Sequence, residues 1–230
     1  MTPNFDIKSK VFVMGIMALL LAVPSTTAMV LAATTVYGTS ASDTLYDTAE
    51  GDTIYGYGGD DTIYANQGND IVYGGSGNDQ ITEGPGGDSR IYGGSGDDEI
   101  VTGYGYDVVY GNSGNDKIHD IGSALIYGGA GNDNLDGSKY ADTIYGGSDD
   151  DWINGRLGDD RLNGGAGNDE IIGWDGNDIL RGSGGNDILT GDGPDSNTGA
   201  DRFYCGDGID TITDYNPAEG DWKSSDCENY

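Results

Sequence analysis

The sequence predicts an all-β solenoid, a chain wound into stacked coils of short strands, and three observations predict it. From Gly38 to Thr213 the chain repeats with a nine-residue period. Within each window, position 6 is reserved for Asp and position 8 for an aliphatic residue. Glycine is abundant, 43 residues against five Pro, so the chain can turn tightly and often without the breaks that Pro imposes on strands. A fixed period of this kind marks a repeat architecture, in which each unit buries its apolar side only by stacking on its neighbours.

Composition alone points elsewhere. The 230 residues carry 40 acidic side chains against 10 basic ones, a formal charge of -30. Leu, Ile, Val and Phe account for 42 residues, or 18%, below the roughly 20% at which a highly charged chain is expected to stay disordered. The acids, however, are 34 Asp and only 6 Glu, and Asp suits tight turns and metal binding. The negative surplus argues against nucleic acid as a partner, because phosphate binding requires basic surface.

Along the chain, the first element is an address. Lys8 and Lys10 precede an apolar run from Val11 to Val23, followed by Pro24 and the small residues Ser25 to Ala28. This is the layout of a secretory signal peptide over residues 1–28. The run is shorter than the roughly 20 residues of a membrane span. Thr26 and Ala28 favour cleavage after Ala28; cuts up to Ala33 and an uncleaved anchor are the alternatives. No later segment is apolar enough to span a bilayer, so the mature protein is expected outside the cytoplasm, with no membrane span.

Residues 38–213 divide into nineteen windows, among them GYGGDDTIY from Gly56, GGSGNDQIT from Gly74, GGAGNDNLD from Gly128 and GGAGNDEII from Gly164. One extra residue falls in the window from Glu83, one fewer in that from Asp120, and a longer insertion, from Asp195 to Ala200, in that from Gly191. Position 6 is read as Asp43, Asp52, Asp61, Asp70, Asp79, Asp88, Asp98, Asp107, Asp116, Asp133, Asp142, Asp151, Asp160, Asp169, Asp178, Asp187, Asp201 and Asp210; only the shortened window lacks it. A flexible Gly/Asp linker would need neither the period nor the aliphatic position.

The motif G-G-x-G-x-D-x-U-x resembles the hemolysin-type (RTX) calcium-binding repeat, a nonapeptide β-helix signature, over about three quarters of the chain. The resemblance implies a right-handed parallel β-roll with calcium ions held between turns along both edges.

The unit also has a physical reading of its own. Six Gly-rich residues make a turn and three make a strand whose position 8 faces in while 7 and 9 face out. Two units close one coil of about 18 residues, and coils stack at about 4.8 Å. Stacking sets the position-6 carboxylates of alternate windows about 5 Å apart, where they repel by roughly 0.8 kcal/mol even in water. A hard cation that takes six to eight oxygens in flexible geometry relieves this, drawing on carboxylates and on turn carbonyls such as those of Gly75, Gly77, Gly94, Gly96, Gly129, Gly131, Gly165 and Gly167. Calcium meets those demands better than magnesium. Zinc is disfavoured, since His119 is the only His. The candidate calcium ligands are therefore Asp43 to Asp187 of the position-6 series, holding roughly ten to fourteen ions. At affinities of extracellular modules, about 0.1 to 1 mM, such a set contributes on the order of 10 kcal/mol in millimolar calcium.

Residues 205–230, with one last repeat, then DYNPAEGD, Trp222 and Cys227, suit a cap on the open end of the stack. RTX domains often end in a similar aromatic-Asn-Pro segment. In an exported chain Cys205 and Cys227 read as a disulfide, with two free thiols or an intermolecular bridge as the alternative. Position 9 presents Tyr55, Tyr73, Tyr92, Tyr110, Tyr127 and Tyr145 in successive coils of one face. Stacking between neighbouring strands explains them; a contact stripe for cell-surface glycan, a surface layer or self-association is the sharper reading.

No G-x-S-x-G, H-E-x-x-H or Cys/His constellation is present, so no enzyme is expected. An ice-binding module would want regular outward Thr in the turns, where Ser, Ala, Asn and Asp prevail. The expected function is a calcium-folded structural or adhesive component of the cell exterior, with a soluble extracellular calcium-binding protein as the alternative.

Overall fold

The computed structural model describes residues 33–193 and 199–227. The signal-type segment of residues 1–28 and positions 195–198 of the insertion lie outside the described residues. All regular structure described is strand, arranged as two parallel sheets of 11 and 10 strands. Consecutive strands enter opposite sheets, and each pairs with the strand one coil further on. Thr53–Gly58 pairs with Ile71–Ser76 on one face and Thr62–Ala65 with Gln80–Glu83 on the other. The eighteen-residue coil is thus visible in the register, as in Ile54 opposite Val72 and Ile63 opposite Ile81. About ten coils make up the solenoid.

The two irregular windows are absorbed in turns. Val72 faces Ile91 and Val109 faces Ile126, steps of 19 and 17 residues, yet the inward side chains keep their places. A slip of one residue would turn each aliphatic side chain out of the core.

Three-residue strands such as Thr44–Tyr46 and Lys117–His119 bury only the middle residue. Leu45, Ile54, Ile63 and the equivalent residues through Phe203 and Ile212 fill the space between the sheets, at 0 to 5% exposure. One large apolar side chain per unit is a thin core. Its partners in stability are the carboxylate-lined turns on either edge.

At the far end, Trp222–Lys223 adds an eleventh strand beside Arg202–Asp207, and a disulfide joins Cys205 to Cys227. The residues beyond the last repeat therefore cover the end of one sheet, as a cap should. Among the described residues no helix is long and apolar enough to cross a membrane.

Candidate metal columns

The regular turns are shaped by left-handed backbone at positions 2 and 4. Gly75, Gly77, Gly94, Gly96, Gly129, Gly131, Gly165 and Gly167 all lie at φ between 116° and 143°. A Cβ on Gly94 or Gly96 would collide with the carbonyl oxygen of Gly75 or Gly77 in the preceding coil. These turn carbonyls therefore point along the stack, and only glycine lets the next coil come so close.

Two ladders of hydrogen bonds then lock neighbouring turns. On the edge running from Asp43 to Asp210, the N–H of each position-6 aspartate donates to Oδ1 of the aspartate one coil on, at 2.8 to 2.9 Å. The second edge repeats this between Asp142 and Asp160, Asp160 and Asp178, Asp178 and Asp201, and ends on Asp221 of the cap. Position 5 makes a ladder of opposite sense. Asp60 Oδ1 accepts the N–H of Asn78, Asn78 Oδ1 that of Asp97, and Asp97 Oδ1 that of Asn115. The preference for Asn and Asp at position 5 is explained by this outer ladder.

The backbone thus satisfies one oxygen of each inner carboxylate. The other remains buried without a hydrogen-bond partner in Asp61, Asp70, Asp79, Asp98, Asp107, Asp116, Asp133, Asp151, Asp160, Asp169, Asp178, Asp187 and Asp201. Each orphaned Oδ2 is costly in an ion-free protein. Position-1 glycine opens the space beside it. A Cβ on Gly74 would strike both Asp79 Oδ2 and the Gly93 carbonyl oxygen, and one on Gly146 both Asp151 Oδ2 and the Gly164 carbonyl oxygen. The result is a cradle between coils lined by carboxylate and carbonyl oxygens. Such a donor set fits a hard, oxygen-seeking cation of flexible coordination and offers no nitrogen or sulfur for a softer one.

Electrostatics agree with that fit. Burial, helped by like-charged neighbours along the column, pushes Asp98, Asp133 and Asp151 up to about 7 and Asp160 and Asp178 up to about 8. Asp61, Asp116 and Asp169 rise to about 6, again chiefly through burial. Without a cation these groups resist carrying the charge that their ordinary pKa of about 3.9 would give them.

The position-6 aspartates from Asp52 to Asp210 are all buried in the columns, with one exception, and Asp43 at the first coil is half-buried. The exception corrects the register. Arg90 to Tyr92 align with Ile71 to Tyr73, which places Ser89 in the column. Asp70 N–H donates to Ser89 Oγ at 3.1 Å, and Ser89 N–H to Asp107 Oδ1 at 2.8 Å. Asp88 is exposed and joins the outer ladder, its Oδ1 accepting the Tyr106 N–H at 2.9 Å. The extra residue of that window sits before Asp88, so counting from its start put the wrong residue at position 6.

Asp43, Asp52 and Asp142 occupy the columns differently. Their Oδ2 atoms accept bonds from Thr39, Thr48 and Ser138, hydroxyl residues at position 2 of their own turns. Sequence reasoning passed over those hydroxyls, and it also missed Glu83, Asp47 and Asp120. Asp47 brings a third carboxylate to Asp52 and Asp70, all within 4.8 Å of one another. The available signal was an acid at position 1, where the repeat has Gly.

On the outer surface, the tyrosine stripe is continuous and one ring longer than its six predicted members. Tyr37, Tyr55, Tyr73, Tyr92, Tyr110, Tyr127 and Tyr145 stack at centroid distances of 4.9 to 5.6 Å with planes within 9° of parallel. Tyr57 packs beside Tyr37 and Tyr55.

The family model of the RTX calcium-binding nonapeptide repeat matches residues 37–72, 46–81, 58–89, 92–119, 127–162 and 155–189. The matches cover most of both columns. No curated protein matches the chain.

Proposed function

The chain belongs to the RTX calcium-binding nonapeptide repeat family, and from that premise we propose that it is an exported protein that folds on binding several calcium ions and serves as a structural or adhesive component of the cell exterior. The observation that carries the calcium-dependent folding is the row of buried Oδ2 atoms without hydrogen-bond partners along both edges. A core of one side chain per unit cannot compensate so many buried carboxylates, so the ion-free chain is expected to be disordered near neutral pH. Bound calcium supplies positive charge between the coils. The residues that would hold it are the orphaned aspartates from Asp61 to Asp187 of the position-6 series, with turn carbonyls beside them. Titration with calcium followed by circular dichroism and light scattering is expected to show sheet forming with the ions. Equal sheet content in excess chelator would overturn the reading.

Export is supported by the signal-type layout of residues 1–28 and by the Cys205–Cys227 disulfide, which suits an oxidising compartment. The adhesive role is supported by the tyrosine stripe, whose Tyr37, Tyr73 and Tyr145 are exposed on the outer face. A second reading, a soluble extracellular calcium-binding protein, is favoured by the rings' use of their flat faces on one another. Fractionation of cells with and without chelator separates the two. No catalytic role is part of the proposal, since the position-6 aspartates of the columns are committed to the ladders.

A further inference from the structure

Two coils of the second edge break the rule that position 6 supplies the carboxylate, and both carry an acid at position 1 instead. In the ten-residue window, Ser89 occupies the column and Glu83 replaces the leading glycine. In the eight-residue window, Ala124 occupies the column, opposite Asp107, and Asp120 replaces the glycine. Elsewhere the Cβ position of the leading glycine lies against the Oδ2 of the position-6 aspartate in the same turn. A side chain grown from position 1 therefore reaches the place that the missing carboxylate would fill.

Both acids do reach it. Glu83 and Asp120 are buried, at 5% and 1% exposure. Glu83 Oε1 accepts the Ser89 hydroxyl at 2.7 Å, and its Oε2 the Gly103 N–H at 3.1 Å. Asp120 Oδ1 accepts the Thr102 hydroxyl. Its Oδ2 is buried without a hydrogen-bond partner, as is Oδ2 of Asp107 between the two irregular turns. The charges each acid feels are those that its missing counterpart would feel. Glu83 is repelled by Asp107 and Asp70, the column members on either side of Ser89. Asp120 in turn repels Asp107 and Asp142, the members on either side of Ala124.

We propose that Glu83 and Asp120 are cation ligands that carry the second column through its two irregular coils, each replacing the position-6 aspartate that its own window lacks. The proposal rests on the calcium reading of the columns. Insertion and deletion in the repeat are then tolerated because carboxylate supply passes from the end of the turn to its beginning. A buried acid retained only for hydrogen bonding would not need this pairing of gain and loss in both windows.

The test is calcium stoichiometry of the mature protein, by equilibrium dialysis, in Glu83→Gln, Asp120→Asn and the regular-column control Asp151→Asn. Glutamine can turn its oxygen to the Gly103 N–H and donate its amide N–H to the Ser89 hydroxyl, so Glu83→Gln keeps both hydrogen bonds and isolates the charge. Each of the two variants is expected to bind about one ion fewer than the parent and to need more calcium to fold. The exchanges Glu83→Gly with Ser89→Asp, and Asp120→Gly with Ala124→Asp, rebuild the ordinary turn and are expected to restore the full count. Unchanged stoichiometry in Glu83→Gln and Asp120→Asn, with a loss in Asp151→Asn, overturns the proposal and leaves the calcium reading standing. No calcium uptake by the parent overturns the calcium reading itself. If a single variant does not fold in saturating calcium, its exchange partner decides: a full count supports the proposal and a deficient one overturns it.

Discussion

A position-6 aspartate does two separable jobs with its two oxygens. In a regular coil Oδ1 holds the neighbouring coil through a backbone N–H, and Oδ2, buried without a hydrogen-bond partner, is the oxygen that a cation would take on the calcium reading. Asparagine preserves the first and removes the second. Asp151→Asn is therefore expected to raise the calcium midpoint of folding and to destabilise the calcium form by about 1 to 3 kcal/mol. Asp43→Asn should cost less than about 1 kcal/mol, because among the described residues nothing donates to Asp43 Oδ1, so the amide can turn its oxygen to the Thr39 donors that Oδ2 now accepts. Thermal melts at fixed calcium check the contrast. Most of this site is legible in the sequence, since a period of nine fixes which Asp share a column. What is not legible is any turn where the count slips. Asp88 and Ser89 are adjacent polar residues, and only strand pairing across the coil decides which of them enters the column. The hydroxyls of Thr48 and Ser138 also escape a motif that treats position 2 as glycine, because their effect depends on a carboxylate oxygen four residues on in the same turn.

At the level of strand and turn, the fold follows from alternation. Position 8 must face in, so positions 7 and 9 face out, and the inward column of Ile and Leu could be read before any coordinates. The outward faces were less determined. Alternate windows place six tyrosines in register, but whether the rings stack depends on a shared rotamer that sequence does not specify. They do stack, which gives the sheet a side-chain rail parallel to the ladder of backbone bonds. Replacing Tyr92, Tyr110 and Tyr127 by Ser is expected to cost about 1 kcal/mol per lost ring pair while leaving calcium stoichiometry intact. The same variant should also lose retention at the cell surface, measured by fractionation; unchanged retention would reduce the stripe to a stabilising feature.

For the whole molecule, the excess of negative charge sets how stability responds to conditions. In ion-free protein, burial raises Asp61, Asp98, Asp160 and Asp178 of the columns to about 6 to 8, whereas the unfolded chain titrates near 3.9. The folded form then binds more protons between those limits. Its proton-linked stability is fully present below about pH 4 and is lost as pH rises through about 6 to 8. With chelator present, sheet content followed by circular dichroism is expected to increase on acidification from pH 8 to pH 4. In excess calcium the same acidification should release ions, because protons and cations compete for the carboxylates. Reduction of Cys205–Cys227 should destabilise the calcium form by about 3 kcal/mol, from the loop that it closes, as a fall in melting temperature on adding reductant would show.

Every described strand pairs only with strands one coil away, so among the described residues no strand pairing ties one end of the solenoid to the other. Order in such an object is extensive rather than all-or-none. Coils can be present in number according to how many cradles are filled, each adding a rise of about 4.8 Å. On the calcium reading the protein would in that sense be a gauge: its ordered length would read out the activity of the cation around it, with the capped end as the zero of the scale.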